Sequence, residues 1–211
     1  VFKFNKLAAQ HAKSQAPKHG FVCGSLGPTG EFLEPLGTVS NQEMYDSFKN
    51  QALALEEGGA DCVVIETMLD IDETSIAINA VRENTNMLAM ASMTFDKGPK
   101  GFFTMMGVTP EDAAKRLQQS GAQIIGANCG NGIENMIEIS SKMRESTDRP
   151  MIVHCNAGIP SLVSGEILYP ESPEYMAEQF MKLIEVGVNI VGGCCGTSPE
   201  HIKALFNAIN K

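Results

Sequence analysis

With 211 residues, 43% hydrophobic and 19% charged, the chain has the composition of a globular protein and the length for one large domain, read here as spanning 1–211. Its net charge of −9 argues against broad contact with nucleic acid, which needs clustered Lys and Arg to neutralise phosphates. No apolar run approaches the ~20 residues that cross a bilayer, so no membrane partner is expected.

The first thirty residues hold Lys3, Lys6, Lys13 and Lys18 and no acid before Glu31. A targeting peptide would also carry Arg, so this stretch is read as an exposed helix face. Candidate strands then follow in order: "FVCGSLG" (21–27), "CVVIET" (62–67), "MLAMASMTF" (87–95), "IIGANC" (124–129), "MIVHCNA" (151–157) and "NIVGGC" (189–194). They are near-continuously apolar, as strands buried on both faces should be. Helix starts lie between them. Ser40 to Glu43 forms a capping box, and Thr109, Ser172 and Ser198 each precede a Pro at the first helical position. Met44, Phe48, Ala52 and Leu55 fall on one helical stripe. Cys23 and Cys62 lie inside apolar runs, where a free thiol acts as a small buried hydrophobe. A bridge between adjacent Cys194 and Cys195 would be strained. The thiols therefore suggest a reducing, cytoplasmic setting.

"GADCVV" from Gly59, "GAQIIG" from Gly121 and "GVNIVG" from Gly187 share one layout, 62 and 66 residues apart. The glycine suits the left-handed position after a helix, and the apolar residues start the next strand. Each period holds two βα units, which calls for a parallel sheet with right-handed crossovers. No dinucleotide glycine fingerprint follows the first strand, so a (β/α)8 TIM barrel is favoured over an open sheet. Only six strands are counted. Running the repeat backwards places an earlier strand end near Phe2. The chain is thus read as barrel strands 3–8, with the first βα unit and most of strand 2 missing.

Active sites of such barrels lie at the carboxyl ends of the strands. Those ends carry Gly27-Pro28-Thr29, Glu66-Thr67, Thr94-Phe95, Asn128-Cys129, Asn156 and Cys194-Cys195. Thiols from 129, 194 and 195 could converge on one ion at Zn–S distances of about 2.3 Å, leaving zinc's fourth position open. Glycine-flanked cysteines could equally be small-residue packing at a crowded strand end. A three-thiolate zinc is a poor hydroxide source but suits the activation of an incoming thiol for attack on an alkyl group.

"GANCG" (126–130) and "GGCCGTSPEHI" (192–202) resemble the paired cysteine signatures of the homocysteine S-methyltransferase family, zinc-dependent (β/α)8 barrels that convert homocysteine to methionine. The similarity extends through "GSLGPTGEFLEPLG" (24–37), "DCVVIETMLDIDE" (61–73), "MTFDKG" (93–98), "CNAGIP" (155–160) and "LYPESPEYMAE" (168–178). These segments look closest to the homocysteine module of corrinoid-dependent methionine synthase. The resemblance implies Cys129, Cys194 and Cys195 as Zn2+ ligands and Glu66 as a partner of the substrate ammonium. Asn128 and Asn156 become neighbours that orient substrate or ligands, and Gly24, Gly27 and Gly30 shape the rim. It also implies methylcobalamin as methyl donor, brought by a corrinoid-binding domain or protein. Two departures stand out. The family's first-strand motif, an acid followed by glycines and a threonine, is missing, and Cys155 stands where related sequences usually show proline. Cys155 is read as a buried thiol, and His154 as a satisfied strand histidine and not a base. The opposing readings are a non-catalytic zinc- or thiol-binding module or degenerate relative of the family, and a redox dithiol at Cys194 and Cys195.

Overall fold

The computed structural model describes residues 1–210. Its elements run α1 (Phe2–Gln15), β1 (Cys23–Leu26), α2 (Asn41–Glu57), β2 (Cys62–Met68), α3 (Ile71–Asn84), β3 (Leu88–Met93), the hairpin β4 (Asp96–Gly98) and β5 (Gly101–Phe103), and α4 (Pro110–Gln119). They continue with β6 (Ile124–Asn128), α5 (Ile133–Arg144), β7 (Met151–Cys155), the hairpin β8 (Ser161–Val163) and β9 (Glu166–Leu168), α6 (Pro173–Val186), β10 (Ile190–Gly193) and α7 (Pro199–Ile209).

The six long strands form one parallel sheet in the order β1-β2-β3-β6-β7-β10, a half-barrel with β1 and β10 at its edges. All six come from the apolar runs picked out in the sequence. One expectation fails at the start. Phe2 opens α1 instead of closing a strand. The reason is composition: residues 2–15 contain no β-branched residue and are rich in Ala, Lys and Gln. Two of the lysines of this helix tie it to the body, Lys6 to Glu57 and Lys13 to Asp61 at 2.6 Å.

The caps fall where the sequence put them. The Ser40 hydroxyl accepts from the Glu43 N–H while the Glu43 carboxylate accepts from the Ser40 N–H at 2.9 Å. The Thr109 and Ser172 hydroxyls accept from the Asp112 and Tyr175 N–H groups and cap α4 and α6. Gly59, Gly121 and Gly187, the repeat glycines, all take positive φ at helix ends (94°, 94° and 100°). Among the described residues, no helix is long and apolar enough to cross a membrane.

Alternation divides each strand between two faces. Val63 and Ile65, Ala89 and Ala91, Ile125 and Ala127, and Val153 point to the helices and join the main core with Met44, Phe48, Leu117 and Phe180. Val64, Met90 and Ile152 form a smaller cluster on the inner face. Phe48 is 2% exposed. We expect Phe48→Ala to lower the unfolding free energy by about 3–5 kcal/mol, read from urea melts of the two proteins.

Two sequence expectations are corrected here. Cys23 is exposed and Cys62 only half-buried, not core thiols. They are register partners at the start of β1 and β2, and Cys23 stands on a strand at the edge of the sheet formed by the described residues. The short hairpins are additions that the sequence reading lacked. All six strand residues of β8 and β9 are exposed.

Candidate metal centre

The site is assembled at the carboxyl ends of β6 and β10. Cys129 leaves β6 in the left-handed region, φ 60°, and Gly130 follows at φ 71°. The Cys129 N–H donates to the His154 carbonyl at 3.1 Å, so the turn remains sewn to β7. Beyond β10 the Cys194 N–H donates to the Cys155 carbonyl at 2.7 Å, and the Ala157 N–H to the Cys195 carbonyl at 2.9 Å. The Thr197 hydroxyl closes the turn on the Cys194 carbonyl at 2.7 Å. Glycine is required beside it. A Cβ on Gly193 would lie 2.2 Å from that hydroxyl, and Gly196, at φ 80°, would meet the Tyr169 ring at 2.1 Å.

These turns bring three sulfurs together. Cys129 Sγ lies 3.7 Å from Cys195 Sγ, Cys194 Sγ lies 4.0 Å from Cys195 Sγ, and all three fall within 4.8 Å of one another. A tetrahedral zinc with bonds of about 2.3 Å needs sulfurs ~3.8 Å apart. The donor set fits such an ion in type and spacing. Cys129 and Cys194 are half-buried and Cys195 is exposed, so the open side faces solvent.

The electrostatics agree. A hydrogen bond from Cys194 is the main cause that pushes the Cys129 thiol down to about 5, with further help from the Gly130 backbone, Cys195 and Asn156. The same hydrogen bond pushes Cys194 up, and burial pushes Cys195 up. Thiolates this close oppose one another's ionisation, and a cation among them would favour the charged form of all three.

The other site residues divide into two kinds. Glu66 is a surface of the site: half-buried at the end of β2, it accepts from the Ser25 hydroxyl at 2.6 Å and lies 3.8 Å from His154 Nδ1. The neighbouring His154 imidazole is the leading cause that lowers its pKa, with the Ser25 hydrogen bond adding to it against burial. His154 is therefore a paired strand histidine, and Gly192 leaves room for its ring, since a Cβ there would sit 2.9 Å from His154 Cδ2. The two asparagines are internal. Asn156 is 4% exposed, and its Oδ1 accepts from the Cys195 N–H at 3.2 Å. Asn128, 1% exposed, spends its amide on Thr67 and Ser92. Cys155 is buried and its thiol is pushed up by that burial, away from the sulfur cluster.

Three supporting residues had no assigned role in the sequence. The Tyr169 ring covers Gly196. Glu171 Oε2 accepts from the Ile133 N–H at 3.2 Å, capping α5, whose own N-cap, Gly132, has no side chain. His201 Nδ1 accepts from the Ser198 N–H at 3.0 Å, so the proton sits on Nε2, which donates to the Glu171 carbonyl at 3.0 Å. Both Glu171 and His201 lie in segments carrying the resemblance, but only contact geometry discloses what they join.

A family model described as homocysteine S-methyltransferase matches residues 1–209. The chain belongs to that family. Among curated relatives, methionine synthases of Mycobacterium leprae (strain TN) and Mycobacterium tuberculosis (strain ATCC 25618 / H37Rv) are each 30% identical over 195 residues. Each alignment covers 90% of this chain and 16% of the relative, so the chain spans about a sixth of those proteins' length. Among solved structures, the apo form of the Escherichia coli homocysteine methyltransferase MmuM superposes with a TM-score of 0.73 at 20% identity, covering 99% of this chain and 74% of that one. Its metallated form gives 0.68 at 21%, over 95% and 65%. At such identity these structures speak to the fold of this homocysteine S-methyltransferase family member.

Proposed function

We propose that this chain binds homocysteine and presents its sulfur for methylation to methionine, with Zn2+ held by Cys129, Cys194 and Cys195. The observation that carries the reading is the cluster of three sulfurs within 4.8 Å of one another, open to solvent on one side. When bound, zinc supplies a Lewis acid that lowers the pKa of an incoming thiol, so that its sulfur is available as a nucleophile. The chain's own residues do the rest. Glu66 accepts the substrate ammonium, held in place by Ser25 and His154. Asn156 holds the Cys195 backbone in place. In the balance of the reaction, the thiol proton leaves to solvent and an S–C bond forms as the donor's methyl bond breaks.

The donor we propose is methylcobalamin, carried by a corrinoid-binding domain or protein. The resemblance of the strand-end segments to the corrinoid-dependent methionine synthases supports this choice, as does the membership of two methionine synthases among the 30%-identical relatives. In this reading residues 1–211 are the homocysteine-binding module.

Cobalt substitution tests the acceptor half. Co2+-loaded protein should show thiolate-to-metal absorption that changes when homocysteine is added and does not change with homoserine. A spectrum indifferent to homocysteine would leave a binding module without this chemistry.

A further inference from the structure

Among the described residues three non-glycine residues take positive φ, and two of them flank the site: Thr67 at 61° directly after Glu66, and Cys129 at 60° directly after Asn128. A β-branched residue in that region is a genuine outlier that persists only where its surroundings over-determine it. At Thr67 the surroundings are one side chain. Asn128 Oδ1 accepts from the Thr67 N–H at 2.8 Å, and Asn128 Nδ2 donates to Thr67 Oγ1 at 2.8 Å. The same Oδ1 accepts from the Ser92 hydroxyl at 2.7 Å, and the Asn128 carbonyl accepts from the Thr94 hydroxyl at 2.9 Å. Asn128 is thus clamped from β3 on one side and grips the Thr67 turn on the other.

Building on the proposed function, we infer that Asn128 is a positioning residue: its amide locks Thr67 in the left-handed conformation, and that turn fixes the Glu66 carboxylate relative to the Cys129 sulfur. The two groups that would take the ammonium and the sulfur ends of one amino acid are then joined through two adjacent pairs, Glu66–Thr67 and Asn128–Cys129, hydrogen-bonded to each other. The amide has no polar group left for a ligand apart from one Nδ2 hydrogen, so its role is exercised through Thr67. Asparagine is suited to this because one side chain presents an acceptor and a donor in one plane.

The test uses the full, zinc-loaded chain and orders substitutions in a way packing alone would reverse. Thr67→Val keeps the shape and β-branching but loses the hydroxyl and remains strained at positive φ. It should raise the KM or Kd for homocysteine by about tenfold or more. Thr67→Gly removes bulk but adopts positive φ freely, and should stay within about threefold of the parent. If Thr67 served only to fill space, Val would be benign and Gly harmful, and that order would overturn the inference. Asn128→Ala should raise KM with zinc content held, and Thr67→Gly added to it should recover part of the loss. A substrate-free readout separates this inference from the functional reading. In a crystal structure of Asn128→Ala, Thr67 should leave the left-handed region and Glu66 should shift. A Thr67 that stays at positive φ without Asn128 sinks the inference, even where homocysteine binding stands. Failure of the parent chain to bind homocysteine sinks the functional reading instead.

Discussion

A Cys194→Ser variant of the full chain is expected to emerge from zinc-supplemented purification with less than roughly a tenth of the parent's metal. A structural zinc site is worth about 10–16 kcal/mol in apparent binding free energy. A third of that is about 3–5 kcal/mol, or roughly 10²–10⁴ in affinity. Cys129→Ser and Cys195→Ser should behave alike, because the sulfurs of all three lie within 4.8 Å of one another. Cys23→Ser is the control. Its thiol sits at the amino-terminal end of edge strand β1, and its metal content should match the parent. Metal analysis of the four proteins, with circular dichroism to verify folding, decides the matter. A Cys194→Ser protein with full zinc would dispose of the three-sulfur centre, and so would a redox dithiol titrating at Cys194 and Cys195 in zinc-loaded protein.

Glu66→Gln should raise the KM for homocysteine by about 10- to 100-fold while leaving the zinc content unchanged. A hydrogen bond to a charged partner contributes about 1.5–3 kcal/mol, and the amide retains the shape while giving up the charge. The pH dependence follows from the sign of the shift. His154 first, and Ser25 after it, hold Glu66 below the ordinary carboxylate range. Its contribution to stability is therefore present above the unfolded carboxylate pKa of about 4.3 and is lost as pH falls through the lower folded value. Across pH 6–9 the carboxylate stays ionised, so Glu66 should add no slope to homocysteine binding there. A titration with a carboxylate limb above pH 6 that vanishes in Glu66→Gln would contradict this assignment.

The large elements were legible because their physics is local. Runs such as "CVVIET" and "MIVHC" are apolar on both faces, and the Ser40, Thr109 and Ser172 caps announce themselves by spacing. The sulfur cluster was legible through the resemblance of "GANCG" and "GGCCGTSPEHI" to the family's cysteine signatures, since spacing alone fitted small-residue packing at strand ends equally well. What escaped depended on direction. Cys23 looks like a core residue in the sequence, and only the strand order shows that it stands on an edge. The β8–β9 hairpin buries none of its strand residues, so it carries no periodic signal. Asn128 and Asn156 occupy equivalent places after apolar runs, yet one grips Thr67 and the other Cys195. Positive φ at Thr67 and Cys129 has no mark in the sequence because neither is glycine.

The main apolar core lies between the sheet and its helices, while the residues that would meet a substrate sit at strand ends on the other side. Thermodynamic robustness and chemical selectivity are therefore carried by nearly separate sets of side chains. Drift at the rim can retune which acceptor or donor is welcomed with little loss of foldability, and that separation gives a scaffold of this kind room to diversify under selection.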